Sequence, residues 1–149
     1  MSNKVWLITG VSTGLGRFLA EAAAQKGYTV VGTVRKQEQI ASVDALVPGK
    51  TFGYLLDVNK HAQVEQVVEE VAGRFGRIDV LVNNAGYGLF GAVEEVSIEE
   101  AREQLETNVF GALAMTQAVL PLMRAHQSGH ILQISSQAGI ASTPGLGIY

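Results

Sequence analysis

The chain carries its most suggestive chemistry in Thr9-Gly10-Val11-Ser12-Thr13-Gly14-Leu15-Gly16. An apolar run, Val5-Trp6-Leu7-Ile8, precedes it, and Arg17-Phe18-Leu19-Ala20-Glu21-Ala22-Ala23-Ala24 reads as a helix after it. A strand that ends in a turn with few side chains lets a phosphate approach the backbone. The next helix offers that phosphate its free N–H groups and the positive end of its dipole. Gly10 suits the tight exit from the strand, Gly14 the close approach of the anion, and Gly16 the packing of helix on strand. The spacing is G-x-x-x-G-x-G, not the commoner G-x-G-x-x-G. Taken alone, three such glycines also build an ordinary turn. Further polar groups stand at Arg35-Lys36, Asp57-Val58, Asn83-Asn84-Ala85-Gly86, Asn108, Ser135-Ser136 and Tyr149.

The elements that must position these groups follow from periodicity. Val5 to Thr9 reads as the first strand. A helix spans Gly14 to Lys26, with Leu15, Leu19, Ala22 and Ala23 on one face and Gly27 as its stop. Thr29 to Val34 is a β-branched run suited to a strand buried on both faces of a parallel sheet. A weaker helix, Gln37 to Leu46, closes at Pro48-Gly49. Thr51 to Leu56 is a third strand. From Lys60 to Phe75, Val64, Val67, Val68, Val71 and Phe75 form one apolar helical face, with Glu65, Glu69 and Glu70 solvated. Ile78 to Val82 is a fourth strand. Ser97 and Glu100 form a capping-box pattern that opens a long helix running to about His126, in which Pro121 should introduce a bend or step. His130 to Ser135 is a fifth strand, and Ser136 to Tyr149 reads as a loop. Strands alternating with helices give an α/β fold, a doubly wound parallel sheet of order 3-2-1-4-5. Residues 1–149 would form a single Rossmann-like domain. Its fifth strand would be an apolar edge (Ile131, Leu132, Ile134), so the sheet looks truncated before its last strands.

Composition excludes several classes. There is no cysteine, so disulfides, thiolate catalysis and cysteine-based zinc sites are ruled out. Net charge is −3 and the basic residues are scattered, which argues against a nucleic-acid partner. The longest apolar stretch, Gly111 to Met123, is interrupted and too short to span a bilayer. The first strand begins close to Met1, leaving no room for a signal peptide, so a cytoplasmic location is expected. His61, His126 and His130 do not share a face and read as surface residues, not metal ligands. Trp6 reads as core.

Ligands of open α/β sheets bind beyond the carboxyl ends of the strands. The glycine run, Arg35-Lys36, Asp57-Val58, Asn83–Gly86 and Ser135-Ser136 all fall at such ends. Together with Thr107-Asn108-Val109-Phe110-Gly111, and with Tyr149 thirteen residues after Ser136, they resemble the classical short-chain dehydrogenase/reductase family. The resemblance implies that Gly10, Ser12, Thr13, Gly14, Leu15 and Gly16 cradle a dinucleotide. It implies that Asp57 accepts a hydrogen bond from adenine, with Val58 supplying backbone. Asn83, Ala85 and Gly86 would support the sheet centre beside the ribose. Asp57 also suits a strand-end cap, and Asn83 a purely structural role. Tyr149 would be the proton donor to a carbonyl, Ser136 the hydroxyl that polarises it, and Asn108 the residue that interrupts the long helix and holds a relay water. The reaction implied is hydride transfer between nicotinamide and a carbonyl or alcohol carbon.

NAD-preferring sites carry an acid about twenty residues after the glycine run. Arg35 and Lys36 stand nineteen and twenty positions after Gly16 instead. A guanidinium pairs bidentately with phosphate, so NADP(H) is expected over NAD(H); a plain solvated helix start is the alternative. A phenol of pKa about 10 must be shifted to work near neutrality. The family's Tyr-x-x-x-Lys pattern supplies that shift through its lysine, and this sequence ends at Tyr149. The chain is therefore expected to belong to a longer one of about 250 residues and to be inactive by itself. Tyr87–Phe90 either lines an apolar substrate pocket or covers the sheet end. The alternatives to an enzyme are a non-catalytic NADP(H)-binding module and an assembly surface. Relatives of this type pair through the helix opened by Ser97, so a homo-oligomer is expected of the full chain.

Overall fold

The computed structural model describes residues 4–149. Five strands form one sheet: β1 (Val5–Ile8), β2 (Thr29–Val34), β3 (Thr51–Leu55), β4 (Val80–Asn83) and β5 (His130–Gln133). Their order is β3-β2-β1-β4-β5 and every pairing is parallel. The expected doubly wound sheet is therefore present, with β4 and β5 each shorter than the sequence pattern suggests. The helices are α1 (Gly14–Gln25), α2 (Ile40–Asp44), α3 (His61–Phe75), α4 (Ile98–Leu105) and α5 (Ala112–Ala125).

Strand side chains alternate between faces, and the core divides accordingly. On one face Leu7, Val31 and Leu81 meet Val64, Val67, Val68 and Val71 of α3 and Met115, Val119 and Met123 of α5. On the other, Ile8, Val30, Val34 and Val82 meet Ala20, Ala23 and Ala24 of α1 and Val43 of α2. The valine stripe of α3 is buried as its spacing predicts; each side chain contributes on the order of 1.5–3 kcal/mol.

The expected face of α1 is wrong by about one position. Its buried residues are Gly16, Ala20, Ala23 and Ala24, while Leu15 is 61 % exposed at the lip of a cleft. Small residues let the helix close on the sheet, and this outweighs the larger apolar groups. The expected second helix is also divided, into a 3-10 turn at Gln37–Gln39 and the short α2. Nor does the long helix step at Pro121, since α5 stays helical through it. Pro121 and Gln117 are both exposed, which puts the proline on the outer side of the helix. The irregularity lies at Glu106–Gly111, a π-helical turn between α4 and α5.

Both ends of β1 are tied to β4 by polar contacts. At the start, Val5 N–H donates to Asp79 Oδ2 at 2.8 Å, and Arg77 pairs with the other oxygen of Asp79. At the end, Thr9 N–H donates to the Val82 carbonyl at 3.0 Å.

The Ser97 capping box is complete. Glu100 N–H donates to Ser97 Oγ at 3.2 Å, and Ser97 N–H to Glu100 Oε2 at 2.9 Å. The Ser97 hydroxyl, then its backbone N–H, holds the Glu100 carboxyl below its ordinary value of 4.5. A depressed acid stabilises the fold above its unfolded value, and that contribution is lost as pH falls through the folded one. Ser97→Ala is expected to return the Glu100 titration toward 4.5, as read by carboxyl NMR; an unmoved titration would rule out this cap as the cause.

Candidate functional site

Since all five strands are parallel, their carboxyl ends share one edge. The order reverses between β1 and β4, and a cleft of about 330 Å³ opens at that edge. It is lined by Gly10, Ser12, Thr13, Gly14, Leu15 and Gly16 of the β1–α1 turn, by Thr33, Val34 and Arg35, by Leu56, Asp57 and Val58, by Asn84, Ala85, Gly86 and Tyr87, and by Thr107.

The turn is shaped by two glycines. Gly10 has φ +70°, and a Cβ there would sit 3.0 Å from Ala85 Cα. A Cβ on Gly16 would come within 2.3 Å of Asn84 Nδ2 and 2.5 Å of the Gly10 carbonyl. Gly16 thus admits the loop after β4, a neighbour other than the strand expected for it. Thr13 enters α1 with extended backbone and no side-chain cap, and the first turn contains no acid. The initial N–H groups of α1 therefore border the cleft with no capping partner among the described residues, a donor set suited to an anion.

The other walls have distinct chemistry. Arg35 is exposed and makes no hydrogen bond or ion pair among the described residues, so its guanidinium is available. Asp57 Oδ1 accepts from Asn59 N–H at 3.1 Å, which is the capping alternative, while its second oxygen has no partner among the described residues. Val58 is 6 % exposed and forms part of the core as well as the cleft. The Asn83 side chain does not reach the cleft. It is buried and donates to the Ala112 carbonyl at 3.2 Å and to Thr116 Oγ1 at 3.1 Å, across the sheet face that carries α5. Its structural reading is the one the geometry matches.

Sequence reasoning placed Thr9 and Asn84 in the strand-end segments but gave neither side chain a role of its own in the site. Thr9 Oγ1 accepts from the N–H groups of Asn84 and Ala85, both at 3.0 Å, and donates to the Val82 carbonyl at 3.4 Å. Asn84 Nδ2 donates to the carbonyls of Thr9 and Gly10, both at 2.9 Å. This reciprocal set fastens the loop after β4 to the glycine turn. Strand alternation was the available signal: residue 83 shares parity with Leu81 on the α3–α5 face, and residue 84 with Val82 on the α1 face, the side of the glycine turn.

Asn108 lies in the π-helical turn, so the long helix is interrupted where the resemblance places the break. Its amide is committed to Tyr87: Oδ1 accepts from Tyr87 N–H at 3.0 Å and Nδ2 donates to the Tyr87 carbonyl at 2.8 Å. Ser136 Oγ accepts from Ala138 N–H at 3.2 Å, capping a 3-10 turn at Gln137–Gly139. Tyr149 is 41 % exposed. No hydrogen bond joins these three among the described residues, and none lines the cleft. The segment before Tyr149 docks on the loop after β4: Gly91 N–H donates to the Gly145 carbonyl at 3.0 Å, and Gly91 bridges Leu146. Among the described residues no three histidine, aspartate or glutamate side chains gather as a metal site, and no helix is long and apolar enough to cross a membrane.

A parallel sheet that reverses order between β1 and β4, with an uncapped helix start at the reversal, defines a Rossmann-type protein. Residues 4–149 match the family model for short chain dehydrogenase. The chain belongs to the short-chain dehydrogenase/reductase family. It is 44 % identical over 147 residues to the oxidoreductase BOA17 of Botryotinia fuckeliana, covering 98 % of this chain and 54 % of that protein. It is 41 % identical to a 3-ketodihydrosphingosine reductase of Bacteroides thetaiotaomicron, covering 100 % and 53 %. The chain spans about half the length of the curated relatives it matches. Among solved structures, a short-chain dehydrogenase from Streptomyces avermitilis superposes with TM-score 0.93 at 44 % identity, over 99 % of this chain and 54 % of that one. ElxO with NADP bound and a NAD+-bound xylitol dehydrogenase each give TM-score 0.93 at 31 % identity, over 99 % of this chain and 61 % and 58 % of theirs.

Proposed function

We propose that the protein is an NADP(H)-dependent oxidoreductase acting on a carbonyl/alcohol pair in a small, apolar substrate. The supporting observation is the cleft itself. Its uncapped helix start, unpaired Arg35 and half-free Asp57 stand at three successive strand ends. The nicotinamide cofactor would supply the hydride. The N–H groups of α1 would bind its pyrophosphate, Arg35 a 2′-phosphate, and Asp57 the adenine amino group. Tyr149 would donate or accept the proton at the substrate oxygen, with Ser136 polarising that oxygen. Tyr87 borders the cleft and Phe90, three residues further along the same loop, is 76 % exposed, apolar surface suited to a hydrocarbon group. A non-catalytic NADP(H)-binding module is the second reading, favoured by the lack of a hydrogen bond among Asn108, Ser136 and Tyr149 within the described residues.

Calorimetry with NADPH and NADH tests the cofactor. NADPH is expected to bind more tightly, and Arg35→Asp to weaken it about ten- to a hundredfold, the loss of a charged hydrogen-bonded pair, while NADH changes far less. Equal or tighter NADH binding would remove the preference, and no binding of either would remove the nucleotide reading. Turnover of a carbonyl panel by the complete natural chain separates enzyme from binding module.

A further inference from the structure

Helix α4 docks through an amide. Gln104 is its only buried residue, at 1 % exposure, while Ile98 and Leu105 lie exposed. A surface helix ordinarily docks through an apolar stripe. Gln104 Nε2 instead donates to the Tyr87 carbonyl at 3.1 Å, the same oxygen that accepts from Asn108 Nδ2 at 2.8 Å. Two donors occupy both lone pairs of that carbonyl and so fix its direction. The arrangement has a cost, because Gln104 Oε1 is buried with no hydrogen-bond partner among the described residues. Methionine has nearly the same shape and would avoid that orphaned acceptor. Packing alone therefore does not account for a glutamine here, whereas the need for a second donor at Tyr87 does.

We infer that Gln104 is a positioning residue which, with Asn108, sets the Gly86–Tyr87 wall of the cofactor cleft. The wall lies directly on the amide pair: a Cβ on Gly86 would come within 3.0 Å of Asn108 Oδ1. Tyr87 and Gly86 in turn line the cleft. Gln104 thus acts on the ligand through the Tyr87 main chain, without touching the ligand itself. The cofactor arm of this inference rests on the proposed function, and the main-chain arm does not.

The test is Gln104→Met in the complete natural chain. Without cofactor, hydrogen-exchange protection of the Tyr87 amide is expected to fall about tenfold, and the NADPH dissociation constant to rise about fivefold, while Tm holds or rises. Unchanged Tyr87 protection overturns the inference, as does a lower Tm with protection and affinity both retained. If the parent binds no NADPH, the proposed function fails and the exchange measurement still decides this point. Should the methionine variant not fold, the side-chain amide protons of Gln104 in the parent decide: slow exchange is expected, and fast exchange overturns the inference.

Discussion

Thr9→Val is expected to lower the unfolding free energy by about 2–3 kcal/mol. Valine keeps the shape of threonine, so no cavity opens, but the N–H groups of Asn84 and Ala85 lose their shared acceptor. Each unsatisfied donor costs on the order of 1–3 kcal/mol, less where water reaches it. Thr9 is 1 % exposed, so water cannot readily replace its hydroxyl. The measurement is the urea midpoint at constant m. Thr9→Ser keeps the hydroxyl and is expected to recover most of the loss. A valine variant as stable as its parent would show that the hydroxyl does not hold the two loops together. NADPH affinity should fall with stability, because the same bonds shape the glycine turn.

Tyr149→Phe in the complete natural chain is expected to lower turnover about a hundred- to ten-thousandfold, the range for losing a positioned general acid. NADPH affinity and thermal stability should not move. The phenol is 41 % exposed and has no hydrogen bond among the described residues, so its removal breaks no described contact. Turnover near the parent rate, with cofactor binding intact, would assign the proton to another group.

The sheet was legible in the sequence because its information is local. β-branched runs mark β2, and a four-valine stripe marks the buried side of α3. Glycine turns and polar residues at each strand end placed the cleft before any contact was known. What escaped depended on neighbours far along the chain. The resemblance placed an interruption at Asn108 within Glu106–Gly111, but not its π-helical form or the bonding of Asn108 to Tyr87, twenty-one residues away. Helix α4 is charged and leaves Ile98 and Leu105 exposed, so its apolar positions give no hint that Gln104 is its buried residue. Asn83 and Asn84 look interchangeable until strand register sends one to α5 and the other to Thr9. Of the bend or step read at Pro121, the step is absent, because α5 runs as one helix from Ala112 to Ala125.

The bonds at the two ends of β1 have a consequence for the order in which the protein forms. Val5 meets Asp79 across 74 residues, and Thr9 meets Asn84 across 75. Strand β1 is synthesised before its partner β4, and the contacts on that side wait for residues 74 and 75 positions further on. Contacts this distant in sequence must offset a large loop-closure entropy, and they slow folding. The glycine turn is therefore expected to acquire its final shape late, when the β4 loop arrives to fasten it. Onset of nucleotide binding in a refolding experiment should report the closing of β4 onto β1, not the earlier formation of α1.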